Sequence, residues 1–351
     1  MKKKVVWHLI SNRWFSAISS YCLQAALSLE QVGFDCVISP LQGSPLEEKS
    51  LAAGIKTVAV KSFGLSGVLD FFGAERRINP DYLIVYEGKE TLLVRLLLTS
   101  AAIIRFRGRD DDVQRSGLMT RVSHSHVDGV ITPSKIVTQK LEHFYHVPIE
   151  TIPYSLGLVC SNVPSQPDRP VIAIVGRLDP IKGHREFLPI FKAILDAWGE
   201  GSGRPLLRII GVESNLRVDD IRARARIVGI GDGDLDFISE YRDDISQLML
   251  QATVGLVSSL GSEIICRVGM EFLALGVPIM VASVGSLSEC VYPGHGIQYQ
   301  ELGVNQIKKF IEHSFSEGLD LRKNRAEQFK LRFSHNNMGK TFQVFLDRLD
   351  V

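Results

Sequence analysis

Apolar positions fall in short blocks rich in β-branched residues, separated by longer stretches in which they recur at helical spacing. In the first half the blocks are KVVWHLI, FDCVISP, IKTVAV, DYLIVY, AAIIRF and DGVITP; in the second they are PVIAIVG, PLLRIIG, DLDFI, ATVGLVSS and VPIMVA. Strands alternating with amphipathic helices predict β-α-β units and parallel sheets. One helix is expected from about Ser16 to Val32, with Gly33 ending it as a left-handed cap. Three more, inside QIKKFIEHSFSEGL, RKNRAEQFKLRFS and MGKTFQVFLDRL, close the chain with charged outer faces.

Two such series follow one another, so the chain reads as α/β with two Rossmann-like domains. SNVPSQPDRP, residues 161–170, carries three prolines and little apolar content and makes a linker. The expected domains are 1–162, 163–335 and a terminal helix, 336–351, with the option of crossing back to the first domain. Open parallel sheets bind ligands beyond the carboxyl ends of their strands, so two in tandem predict a cleft between domains.

Composition narrows the class. A chain of 351 residues with 45% hydrophobic and 23% charged residues buries a substantial core and is not disordered. Forty basic against 39 acidic residues leave a net charge of +1, which provides no global field for a nucleic-acid backbone. Five widely spaced cysteines without a C-x-x-C pair argue against a disulfide framework or a zinc site and for a reduced, cytoplasmic setting. The apolar run of MKKKVVWHLISNRW breaks at Ser11 and Asn12, too early for a signal peptide. TLLVRLLLTSAAIIRF is interrupted by Arg95 and falls short of the roughly 18 residues of a membrane span.

Two motifs carry chemistry. VIAIVGRLDPIKGHREF, residues 171–187, runs from strand through a glycine-containing loop into a helix, placing Arg177 and Lys182 at a strand's carboxyl end. A forked guanidinium and a compact ammonium together can neutralise a diphosphate. No Ser or Thr follows Lys182, so this is not a Walker A loop. A plainer alternative is a surface turn in which Arg177 pairs with Asp179. In SEIICRVGMEFLALGVP, residues 262–278, Ser262 can cap a helix that Gly276 and Pro278 stop. Eight residues of helix advance about 12 Å and turn by about 80°, so Glu263 and Glu271 would line one groove. The amides just after Glu263 would face phosphate. Arg267, four residues from each acid, would alternatively form an i,i+4 ladder that explains all three charges without a ligand.

VGRLDPIKGH followed by SEIICRVGMEFLALGVPIMVASVGSLSE resembles the donor half of the retaining glycosyltransferases of family four, the group 1 glycosyltransferases of GT-B fold. The E-x7-E spacing matches, and the likeness is strongest from about 170 to 292. The resemblance implies two Rossmann-like domains facing an interdomain cleft and transfer from a nucleotide-diphosphate sugar with retention, with no cofactor and no metal. It implies that Arg177 and Lys182 grip the donor diphosphate, Glu263 meets the donor sugar, and Glu271 binds the ribose. Gly176 and the amides of Ile264 and Ile265 would lie along the donor. The acceptor would be a saccharide or lipid-linked saccharide of a cell-surface polysaccharide or lipopolysaccharide route. A lipid-linked acceptor would bring this cytoplasmic protein to the inner membrane face.

The first half departs from the family pattern. SNRWFSAIS stands where members often have a glycine pair, leaving Ser16 and Ala17 as loop candidates. AAIIRFRGRDDD stands where many have a histidine or aspartate, leaving Arg107, Arg109 and Asp110 as candidates without a choice among them. Arg105, Arg107 and Arg109 could seat an anionic acceptor or form a solvated strand end. The Asp110–Asp112 run lacks the convergence a hard cation needs, and DGDLD, residues 232–236, lacks the glycine and glutamate of a calcium loop. His124 and His126 have no ligand set around them; His184 reads as an ordinary polar residue at a helix start; His8 could reach the cleft. The rival functions are a nucleotide-sugar epimerase or hydrolase on the same plan, and a non-catalytic sugar-nucleotide-binding subunit.

Overall fold

The computed structural model describes residues 3–64, 68–94, 99–108, 127–157, 167–201, 203–261 and 263–349. The chain divides into two compact units, Met1–Gly157 with Phe333–Val351, and Leu158–Arg332.

The first unit holds a seven-stranded sheet of order β3-β2-β1-β4-β5-β6-β7. Its strands are β1 (Val5–Leu9), β2 (Asp35–Ser39), β3 (Lys56–Thr57), β4 (Tyr82–Val85), β5 (Ala102–Phe106), β6 (Gly129–Thr132) and β7 (Ile149–Thr151), every pairing parallel. Helices α1 (Ala17–Gln31), α2 (Pro45–Ala52), α3 (Val68–Ile78), α4 (Gly88–Val94) and α5 (Lys135–Leu141) connect them. α1 matches its expectation closely: Ser16 caps it by accepting the Ser19 amide at 3.3 Å, and Gly33 follows it at φ +98°. One face of the sheet buries Trp7, Leu9, Leu83 and Val85 against Phe71 and Leu93.

The second unit holds a six-stranded parallel sheet of order β10-β9-β8-β11-β12-β13, comprising β8 (Val171–Val175), β9 (Leu206–Ile210), β10 (Leu235–Ile238), β11 (Val254–Val257), β12 (Ile279–Val281) and β13 (Gly296–Gln298). Its helices are α6 (His184–Trp198), α7 (Val218–Ile227), α8 (Ile245–Leu250), α9 (Arg267–Ala274), α10 (Val304–Ser316) and α11 (Leu319–Arg332). α11 is tied down by buried charge. Arg325 pairs with Glu317 through two bonds of 2.8 and 2.6 Å and donates to Gly276 O, while Arg322 donates to the carbonyls of Leu250 and Ala252. The last helix, α12 (His335–Leu349), belongs to the first unit and lies along α1, burying Met338, Phe342, Phe345 and Leu346.

Two strands escaped the sequence pattern. β7 (IET) and β13 (GIQ) are three-residue edge strands without an apolar block, and backbone pairing to one neighbour makes them. Among the described residues, no helix is long and apolar enough to cross a membrane.

Candidate functional site

In the second unit β8 and β11 are neighbours, while β9 and β10 lie to one side and β12 and β13 to the other. The winding reverses between β8 and β11, which is where an open α/β sheet offers a crevice at its carboxyl ends. Gly176 opens the loop leaving β8; a 3₁₀ turn, Pro180–Lys182, and Gly183 lead it into α6.

Asp179 organises this loop. Its carboxylate accepts the Ile181 amide at 3.2 Å and the Asn215 side-chain amide at 2.8 Å, and Arg177 Nη2 lies 3.5 Å away. Those bonds, first from Ile181 and then Asn215, with Arg177 assisting, hold its carboxyl below the ordinary value. The surface-turn pairing of Arg177 with Asp179 therefore exists, with Asp179 buried and Arg177 largely exposed. His184 is not an ordinary polar cap. It is fully buried, with Nε2 3.2 Å from Arg177 O, and burial pushes its pKa down so that a neutral ring props the loop from beneath.

Gly183 lets the loop meet β11. It sits at φ +71°, and a Cβ there would come within 2.0 Å of Ser258 O. Ser258 Oγ donates to Lys182 O at 2.9 Å and the Leu260 amide to Ile181 O at 2.8 Å. This seam delivers Lys182 Nζ to 2.6 Å from Glu263 Oε1, which also accepts Ser259 Oγ at 2.6 Å. The backbone of Glu263 is fixed as well, since its carbonyl accepts the Ser286 amide at 2.8 Å and a Cβ on Gly285 would lie only 2.3 Å from that oxygen. Loops following β8, β11 and β12 thus converge on one buried carboxylate.

The expected helix from 262 is corrected. α9 begins at Arg267 with Cys266 as its cap, and Ile264 and Ile265 lie in the preceding bend. The reason is local competition: Glu263 is drawn to Lys182, Ser259 and Ser286, and the Arg267 amide closes a tight turn on Ile265 O at 2.8 Å. Glu263 and Glu271 are therefore not two points on one helix, and the amides of Ile264 and Ile265 do not open it. The charge ladder forms only in its second half, Arg267 Nε donating to Glu271 Oε1 at 2.8 Å, whereas Glu263 turns to Lys182. Lys182 and Glu263 touch; Gly176 and Arg177 share the loop of Lys182; Glu271 is bonded to Arg267. Ser258, Ser259, Asn215, Gly285 and Ser286 were not anticipated. The paired serines after a strand block were the one available signal.

In the first unit Ser16 is a helix cap whose Oγ also accepts Asn12 Nδ2 at 2.7 Å, and Ala17 is the first residue of α1. Arg107 is buried, its amide donating to Ile131 O at 2.8 Å, and Arg105 is buried with Nη1 on Thr91 Oγ1, which corrects the idea of a solvated strand end. Arg109, Asp110, His124 and His126 lie outside the described residues. His8 is completely buried, 3.0 Å from Tyr86 OH, and burial lowers its pKa to about 3, so it is a neutral core group rather than an exposed one. Glu90, unanticipated, is buried at the first turn of α4, accepts the Ser11 amide, and has its pKa raised to about 7 chiefly by burial.

Among the described residues, no group of three or more His, Cys, Asp or Glu side chains is placed to hold a metal ion. The acids of DGDLD are bonded to arginines instead: Asp232 to Arg222 and Arg226, Asp234 to Arg204, and Asp236 to Arg208.

Residues 169–312, which contain both Lys182 and Glu263, match the family described as "Glycosyl transferases group 1". That match covers most of the second unit, which is similar over those residues to a group 1 glycosyltransferase domain. No curated protein sequence matches the chain. Among solved structures, the lipopolysaccharide outer core galactosyltransferase WaaB aligns with a TM-score of 0.72 at 16% identity, covering 98% of this chain and 99% of that one. Anabaena HepE in complex with UDP aligns with a TM-score of 0.77 at 15% identity, covering 98% and 100%. The sucrose-phosphate synthase of Thermosynechococcus elongatus aligns with a TM-score of 0.71 at 15% identity, covering 99% of both. These likenesses establish the GT-B fold.

Proposed function

We propose that the protein is a retaining glycosyltransferase of family four, moving a sugar from a nucleotide-diphosphate sugar to a saccharide or lipid-linked acceptor of a cell-surface polysaccharide or lipopolysaccharide. The observation that carries this reading is the 2.6 Å contact of Lys182 with Glu263, between loops that follow neighbouring strands inside the stretch similar to group 1 glycosyltransferases. In the resting protein the two neutralise each other. An arriving diphosphate offers Lys182 a partner of higher charge, and the exposed guanidinium of Arg177 joins it. Glu263, still held by Ser259, is then free to accept hydroxyls of the donor sugar. Glu271 would take the ribose hydroxyls in exchange for its surface bond to Arg267.

Cations fixed before the reaction stabilise charge as it develops on the leaving diphosphate, usually the largest catalytic contribution. Two side-chain cations supply that neutralisation without a metal. The departing phosphate itself takes the acceptor's proton on the face it vacates, giving retention through an oxocarbenium-like state. The UDP bound by HepE and the galactosyl transfer named for WaaB favour a nucleoside diphosphate sugar over the epimerase, hydrolase and binding-subunit alternatives. A lipid-linked acceptor would place the protein at the cytoplasmic membrane face.

The test is a panel of sugar nucleotides scored by thermal stabilisation and by nucleotide release. A ligand at 100 times its dissociation constant adds about 2.7 kcal/mol, so the correct donor should stand out. Absence of stabilisation by every member, or isomerised or free sugar in the absence of acceptor, would refute the transferase reading.

A further inference from the structure

In the first unit β1 and β4 are neighbours while β2 and β3 lie on the far side of β1, so here too the winding reverses, and the loop leaving β1 sits at that carboxyl-end reversal. The loop is tied along its length. Its Ser11 amide donates to Glu90, Asn12 Nδ2 donates to Ser16 Oγ at 2.7 Å, Asn12 Oδ1 accepts the Trp14 amide at 3.1 Å, and Trp14 O accepts Ser19 Oγ at 3.0 Å. Phe15 is occupied, with Lys49 Nζ 5.0 Å from its ring centre. Trp14, by contrast, is 74% exposed.

Leaving so large a ring in water forgoes the stabilisation that burying an aromatic side chain brings, and hydrogen bonds nevertheless fix its backbone on both sides. A rigid scaffold presenting an exposed side chain from a loop is the usual build of a binding site. The flat indole face matches the C–H face of a pyranose, and its N–H can donate to a ring hydroxyl.

We propose that Trp14 is a stacking platform for a saccharide ring. Identifying that ring with the acceptor sugar rests on the glycosyltransferase reading above; the platform itself does not. A single indole beside Arg13, on a loop rather than an amphipathic helix, has too little apolar area for a membrane anchor.

The full-length protein is titrated with methyl glycosides of glucose, galactose, mannose and N-acetylglucosamine, followed by saturation-transfer NMR on the glycoside protons and by tryptophan emission. At least one glycoside should receive saturation from the wild type. Trp14→Ala should weaken that binding at least about tenfold, and Trp14→Phe should keep part of it, because a phenyl ring still stacks. The melting temperature of Trp14→Ala should match the wild type, since the side chain is exposed. No response to any glycoside, or an equal response from Trp14→Ala, overturns the proposal. So does a blue shift of tryptophan emission on anionic phospholipid vesicles that Trp14→Ala abolishes, without a glycoside response. Donor binding is scored separately by thermal shift with nucleotide sugars. Trp14-dependent glycoside binding without any nucleotide-sugar binding would sink the transferase reading and leave the platform standing.

Discussion

Removing Lys182 tests the site most directly, because two different consequences can be read from one substitution. Lys182→Ala deletes the 2.6 Å bond to Glu263, a carboxylate only 9% exposed, and leaves it the Ser259 hydroxyl. A hydrogen bond to a charged group contributes about 1.5–3 kcal/mol. The Lys182 side chain is 34% exposed, so solvent screening puts the resting-state loss nearer about 1–2 kcal/mol. On the proposed mechanism the catalytic loss should be larger, about 10²–10³ in turnover or about 2.7–4 kcal/mol, because the ammonium would face charge that develops only as the diphosphate leaves. Urea denaturation of Lys182→Ala, Glu263→Ala and the double variant, with nucleotide release measured on the same proteins, separates the two. Stability should show coupling of about 1 kcal/mol or more, whereas turnover should still fall when Lys182 is removed from the Glu263→Ala background. Stability effects that add within about 0.3–0.5 kcal/mol would refute the pairing. Turnover of Lys182→Ala within about threefold of wild type, against a range of hundreds, would refute the role at the diphosphate.

Gly183→Ala should cost more than about 2 kcal/mol in denaturant melts, since a left-handed backbone and a 2.0 Å approach to Ser258 O both oppose a Cβ; an unchanged midpoint would contradict the seam between the loops. Arg325→Ala leaves Glu317, itself buried, without its bidentate partner and should cost about 3–5 kcal/mol; a loss below about 1 kcal/mol by the same melts would show that the pair is dispensable. Glu90 titrates at about 7 when folded against an ordinary 4.5, so the folded state holds the extra proton between those values. Its contribution is complete below about pH 4.5 and is lost as the pH rises through about 7, on the order of 3 kcal/mol relative to Glu90→Gln. His8 titrates in both proteins and cancels from that difference, so a wild-type minus Glu90→Gln stability gap that is flat with pH would argue against a buried, proton-binding Glu90.

Much of the fold was legible in the one-dimensional pattern. Strands buried in parallel sheets must be nearly continuous apolar runs, and the helices covering them must be amphipathic, so eleven of the blocks that became strands could be read directly. α1 was legible to its ends because Ser16 and Gly33 act on their own nearest neighbours. β7 and β13 were not, because a short edge strand is made by its partner's backbone and needs no apolar block of its own.

For the site, the residue types and their spacing made Arg177, Lys182, Glu263 and Glu271 candidates, the family resemblance gave them their expected roles, and the order of strands and helices pointed to an α/β chain with ligands at strand ends. What the spacing could not decide was which acid met which cation. Glu263 and Arg267 are four apart and would pair on a helix, yet Lys182, 81 residues away, takes the carboxylate instead. That choice depends on Gly183 lying against Ser258 and on Ser286 holding the Glu263 carbonyl, contacts between loops distant in sequence. Burial of Glu90, His8 and His184 was hidden for the same reason: local spacing records which neighbours a side chain has along the chain, while exposure and charge state are set by what folds over it.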